Sequence, residues 1–275
     1  MKLRVILAVL LVVLCSGAIL HADNLLFDRG LPTTNLNNAA GSSRSNVAWG
    51  DVTPSDGSDW AIGDTFSVSA NSDITDVRVW IVSEDSQPPS SMWSDLTLFG
   101  GQAGSIAPIS TVSTNGTDPN VQITSVTYAN GSTYQGTSGS FIDLYQVDFL
   151  VNWAVDGNTP YYFFVGGTPT ATNYNLYDPE FGGAISPFLS SSNAALSGST
   201  QQGADNLVWE MAYNETPYSF VSMDSFDSAD PTLGIWDKSS DVNLQLYGTP
   251  EPTSILLLGT VAFMVGSLAR KRRRS

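Results

Sequence analysis

Apolar and polar residues alternate with a period of two along several short stretches of the chain. That spacing turns one face of a β-strand to a core and the other to water. Val77, Val79 and Ile81 alternate with Arg78, Trp80 and Val82; Tyr145, Val147, Phe149 and Val151 alternate with Gln146, Asp148 and Leu150. Near the C-terminus Val242, Leu244 and Leu246 alternate with Asn243, Gln245 and Tyr247. Thr65 to Ala70, Leu96 to Phe99, Val121 to Ala129, Pro160 to Val165 and Asn206 to Tyr213 are further candidates. Gly, Asn, Asp, Ser and Pro clusters separate these runs, and no stretch from Asp23 to Gly248 has a helical period. The pattern predicts an all-β fold of about eight or nine strands, a jelly-roll-like sandwich of two antiparallel sheets. Two stretches read as long irregular connections: 101–120, and 173–203 with its Ser190-Ser191-Ser192 cluster. Asn130-Gly131 reads as a hairpin turn.

The two ends break the alternation. Met1-Lys2-Leu3-Arg4 is basic, Val5 to Cys15 is an eleven-residue apolar run, and small residues follow. Together they describe a secretory signal peptide over residues 1–22, entering the membrane as a helix. Cleavage fits after Ala22 or Ala18, although Leu20 is large for the third position before the Ala22 cut. Cys15 suggests lipidation, but Leu14 stands where a lipidation motif wants a small residue.

At the other end Thr249-Pro250-Glu251-Pro252 precedes an uncharged run from Thr253 to Ala269, and Arg270, Lys271, Arg272, Arg273 and Arg274 follow. A helix satisfies its own backbone in lipid, and seventeen residues at about 1.5 Å each span roughly 25 Å. Against a hydrocarbon core of about 30 Å this is a short transmembrane helix. The terminal cations hold their end in the cytoplasm and place everything before Pro250 outside. Pro250 and Pro252 keep their segment extended, a shape that a protease cleft binds.

Residues 249–275 resemble the PEP-CTERM sorting signal of exosortase substrates: the Pro-Glu-Pro motif, a short spanning helix and an arginine cluster in that order. The resemblance implies recognition by an integral-membrane exosortase with a cysteine nucleophile, which removes the helix and releases or transfers the rest. Phe27-Asp28-Arg29-Gly30, Trp60-Ala61-Ile62-Gly63-Asp64-Thr65-Phe66, Ile74-Thr75-Asp76-Val77-Arg78-Val79-Trp80 and Asn243-Leu244-Gln245-Leu246-Tyr247-Gly248-Thr249 are also similar to phrases found in such proteins. They imply a sandwich ectodomain over 23–248 and assign it no activity.

Composition then narrows the chemistry. His21 and Cys15 are the only His and Cys, so the chain from Asp23 onward can build no His-dependent or thiol nucleophile, no disulfide and no conventional zinc site. No catalytic residue is assigned, and the expectation is a protein that is not an enzyme. Its 226 residues between Asp23 and Gly248 suffice to bury a core without covalent staples. That span holds four cations, Arg29, Arg44, Arg78 and Lys238, against 25 carboxylates, a balance of −21. Such a surface repels nucleic acid and anionic headgroups.

Candidate sites are few. Asp51, Asp56 and Asp59 in one acidic loop, and Asp224, Asp227 and Asp230 in another, offer hard oxygen ligands for Ca²⁺, although neither fits the EF-hand pattern. The bland alternative is turn carboxylates bonding their own backbone. No other cofactor is expected. Among seven tryptophans, Trp93 and Trp236 lie near turn-rich segments and are the candidates for stacking on extracellular polysaccharide. A carboxylate-dependent glycoside hydrolase is the alternative, with Glu210 as its acid and no partner nameable. Asn115, Asn130 and Asn214 begin sequons that read as turns. The expected partners are therefore signal peptidase, exosortase, the membrane through one C-terminal helix, and a cell-surface or matrix glycan.

Overall fold

A computed structural model describes residues 24–32, 45–48, 60–84, 88–126, 134–135, 141–169, 177–178, 183–184, 188–192, 200–205, 207–212, 218–222 and 241–250. In chain order the strands are β1 (Asn24–Asp28), β2 (Ser45–Ala48), β3 (Trp60–Phe66), β4 (Ser72–Glu84), β5 (Trp93–Gly101), β6 (Ala107–Ser113), β7 (Val121–Ser125), β8 (Tyr134–Gln135) and β9 (Phe141–Val155). They continue as β10 (Tyr161–Pro169), β11 (Tyr177–Asp178), β12 (Gly183–Ala184), β13 (Phe188–Ser192), β14 (Trp209–Ala212), β15 (Ser219–Ser222), β16 (Asp241–Val242) and β17 (Leu244–Pro250). A single helical turn, α1 (Pro89–Met92), precedes β5. Among the described residues no helix is long and apolar enough to cross a membrane. The signal segment and 253–269 lie outside the described residues.

Two antiparallel sheets form a β-sandwich. In the first, β4 is the spine: β9 runs along one edge over its length, while β17 takes the other edge from Ser72 to Val79 and β13 takes it over at Ile81 and Val82. β1 flanks β17, β7 and β8 flank β9, and β2 and β16 flank β13. The second sheet runs β15-β14-β3-β10-β5-β6. The chain switches sheets repeatedly, so most neighbours are distant in sequence.

The core follows from the alternation. Val77, Val79 and Ile81 of β4, Val147 and Phe149 of β9, and Leu244 and Leu246 of β17 turn inward and are fully buried. They meet Ile62, Phe66, Leu96, Leu98, Phe163 and Val165 from the facing sheet. At one end of the core Phe66 stacks on Tyr161 at 5.8 Å and meets Trp153 edge-on at 5.2 Å. A second apolar cluster, with Phe99, Phe164 and Met211, lies on the opposite face of the second sheet.

Several sequence expectations need correction. Ala107–Ser113, expected to be irregular, is a strand paired along β5. Phe188–Ser192, expected inside a long connection, is a strand between β2 on one side and β4 and β16 on the other. Three serines carry no apolar signal, and Ser190, Ser191 and Ser192 are nevertheless fully buried. The Ser190 and Ser192 hydroxyls have a polar partner inside the fold, which removes the penalty that makes buried polar groups rare. The strand expected over Val121 to Ala129 is described as far as Ser125, and Asn130-Gly131 lies outside the described residues.

Candidate functional site, a buried arginine and carboxylate cluster

The structure concentrates its buried polar side chains where β17 leaves the spine and β13 replaces it. Asn243 lies at that junction. Its N–H donates to Ser190 O at 2.9 Å, its Nδ2 donates to Gly30 O at 3.2 Å, and its Oδ1 accepts Ser190 Oγ at 2.8 Å and Ser192 Oγ at 3.0 Å. One side-chain amide thus satisfies three groups from two other segments, β13 and the residues after β1.

Beside it an ion pair joins the two sheets. On β3, Asp64 alternates with Ile62 and Phe66 and so points between the sheets. Its Oδ2 lies 2.8 Å from Arg29 Nη1, the two side chains being 0% and 1% exposed. Oδ1 accepts Thr65 N–H at 2.6 Å, and Oδ2 also accepts Val242 N–H at 2.9 Å. Arg29, just past β1, donates further to Thr65 O, to Gln202 O at 3.2 Å and to Gly203 O at 3.2 Å, and lies 5.2 Å from the centre of the Phe27 ring. Burial pushes the Asp64 carboxyl up to about 7, against the pull of the Arg29 guanidinium and two N–H donors.

The strap Thr200–Asp205 closes over this pair. Asp28 Oδ2 accepts Thr200 N–H at 2.8 Å, Asp28 N–H donates to Gln202 Oε1 at 2.7 Å, and Asp205 N–H donates to Asp241 Oδ1 at 2.8 Å. Oxygens of Asp64, Asp205 and Asp241 come within 4.8 Å of one another. This set offers the hard ligands that a divalent cation takes, but Arg29 already compensates Asp64, and backbone N–H groups occupy oxygens of all three.

A second polar array crosses the outer face of the first sheet. Asp28, Gln245, Arg78, Asp148 and Gln122 stand opposite one another on β1, β17, β4, β9 and β7. Arg78 bonds Asp148 through Nε at 2.6 Å and Nη2 at 3.3 Å, and donates to Tyr247 Oη at 2.9 Å. Tyr247 Oη donates to Gln245 Oε1 at 2.8 Å, and Gln245 Nε2 reaches Asp28 Oδ1 at 3.2 Å. Asp148 and its hydrogen bonds hold the Arg78 guanidinium above its ordinary range despite burial, and burial pushes Tyr247 up.

Chemically the inner cluster is a lock. Asp64 with its raised carboxyl resembles a general acid, but no substrate reaches a side chain of zero exposure between two sheets. Glycine beside Asp64 keeps β3 close against β10: a Cβ on Gly63 would overlap the carbonyl oxygen of Phe163.

The expected sites fare differently. Pro250 ends β17, exposed and in register with Ser72. Glu251, Pro252, the five cations from Arg270 to Arg274, Ala22, Trp236, and the calcium candidates Asp51, Asp56, Asp59, Asp224, Asp227 and Asp230 lie outside the described residues. Trp93 is corrected. It is 4% exposed within the core, against Gly167, because β5 turns it inward, and it presents no free face for a sugar. Glu210 is half-buried on β14 opposite Ile62, with Trp209 and Met211 on the other face. Half-buried aromatics that spacing alone did not single out, Tyr162, Trp209 and Tyr218, cluster on the outer face of the second sheet, with Trp209 edge-on to Tyr162 at 5.7 Å. The inner cluster was likewise missed, although Arg29, Asp64 and Asn243 each sit in one of the phrases quoted above. No family model, curated protein or solved structure matches the chain.

Proposed function

We propose that this is an exported surface protein, sorted and processed by an exosortase, whose jelly-roll-like sandwich ectodomain is the delivered cargo. The observation that carries the reading is the tail: Pro250-Glu251-Pro252, an uncharged seventeen-residue run and five cations follow one another with nothing between. The strands' repeated switching between sheets supports the jelly-roll description. Pro250, the first residue of the motif, is the last residue of β17, which supports a motif presented directly at the edge of the sheet. The steps are export with removal of the signal at Ala22, anchoring through Thr253 to Ala269, and cleavage near the motif. Changing Pro250, Glu251 and Pro252 together to Ala should leave the protein in the membrane fraction of native cells. Normal release of that variant would defeat the reading.

For the delivered domain we favour a structural or glycan-binding role. The Tyr162 and Trp209 rings replace Trp93 as the candidate stacking surface, since both are partly exposed on one outer face. Trp209→Ala should abolish retention on immobilised native matrix polysaccharide without lowering Tm by more than a few degrees. Undiminished retention would remove these rings from the account.

A further inference from the structure

Both ends of the described domain leave at one pole. Asn24, the first residue of β1, is in register with Gly248, and Pro250 is in register with Ser72, the first residue of β4. Ser72 is in turn opposite Val155, the last residue of β9. The turn after β9 and the turn before β4 are tied together there, with Gly157 N–H donating to Asn71 Oδ1 at 2.9 Å and Asn158 Nδ2 to Ser69 O at 3.2 Å. The β5–β6 turn joins them: Gln102 Nε2 donates to Tyr161 Oη at 3.3 Å, and the same hydroxyl accepts Asp156 N–H at 3.0 Å.

We infer that this pole, made by turns 67–71, 102–106 and 156–160, is the surface that the anchored protein rests on the lipid headgroups. The inference depends on the anchoring reading above. Only Glu251 and Pro252 separate Pro250 from the apolar run that begins at Thr253. Three Cα steps reach at most about 11 Å, and the headgroup layer on each side of the bilayer takes up roughly 5–7 Å. No stalk lifts the domain away. Charge agrees with the placement: the three turns carry one ionisable residue, Asp156, in a span whose balance is −21. An acidic domain pressed on anionic lipid is repelled least through its least charged end. Leu25, exposed at 48% beside this pole, adds an apolar contact. The thirteen residues of β4 place the opposite pole roughly 40 Å outward.

The test uses the full chain carrying Cys15→Ser, so that an introduced thiol is unique. Ala70→Cys and Ala103→Cys place a fluorophore at exposed positions in two of the turns, and Ser125→Cys places one on exposed β7. Ser125 lies opposite Tyr145, itself opposite Ile81, about 30 Å from the pole. Vesicles of phosphatidylcholine and phosphatidylglycerol carry a nitroxide on the headgroup, and resistance to alkaline carbonate reports insertion separately. With the chain inserted, labels at 70 and 103 should be quenched severalfold more than the label at 125. Equal quenching, or stronger quenching at 125, in an inserted chain overturns the pole while leaving the anchor intact. Extraction by carbonate overturns the anchor and the pole with it.

Discussion

Among the described residues two arginine–aspartate pairs have almost the same length in different surroundings. Arg29 and Asp64 lie between the sheets at 1% and 0% exposure, and Arg78 and Asp148 cross the outer face of the first sheet at 24% and 8%. The outer pair keeps part of its hydration and gains what a well-aligned surface pair gains, about 0.2–1 kcal/mol. The inner pair has lost its water, and its carboxylate is retained because a guanidinium and two backbone N–H groups replace that water. Similar contacts therefore predict different costs, because a partner removed from the inner pair leaves a charge with no solvent to receive it.

The largest effect should come from Arg29→Met. It leaves Asp64 buried without its cation and should cost about 3–5 kcal/mol at pH 8 by urea denaturation. The loss should shrink toward pH 5, where Asp64 takes up a proton. A pH-independent loss would show that packing, not charge, sets the cost. In the unmodified protein the sign is also fixed. With Asp64 raised from 3.8 to about 7, the folded chain binds the extra proton between these values. That group's contribution to stability therefore falls as pH rises from about 4 to 7 and is flat beyond. Asp64→Asn should flatten this slope, and an unchanged slope would assign it to other carboxylates.

Asn243→Ala should cost about 1–3 kcal/mol, since Ser190 and Ser192 hydroxyls and Gly30 O lose their partner inside the fold. A loss below that range would mean that water enters the junction. Smallest is Asp148→Asn, at about 1 kcal/mol or less and reduced further in salt. A cost equal to that of Arg29→Met would erase the contrast between the two pairs.

Sheet faces were legible where apolar residues alternate, as along β4, β9 and β17, because transfer from water is written in side-chain type. β13 was not, since nothing in Ser190-Ser191-Ser192 says that Asn243, 51 or more positions away, will accept two of those hydroxyls. Nor does a strand pattern reveal that Asp64 meets Arg29, a pairing made by two sheets coming together. Arg29 and Asp64 lie in sequence phrases that carried no site assignment, and what they do became visible only in three dimensions. Trp93 misled because nearness to turns in sequence does not decide which face of a strand a ring occupies.

The reading of the whole protein turns on its ends, and the intact mass of the mature form from native cells tests it most directly. The account predicts a chain that starts at Asp23 and ends between Gly248 and Pro252, with the helix and its arginines gone. A mature chain that still carries Ser275 would contradict it.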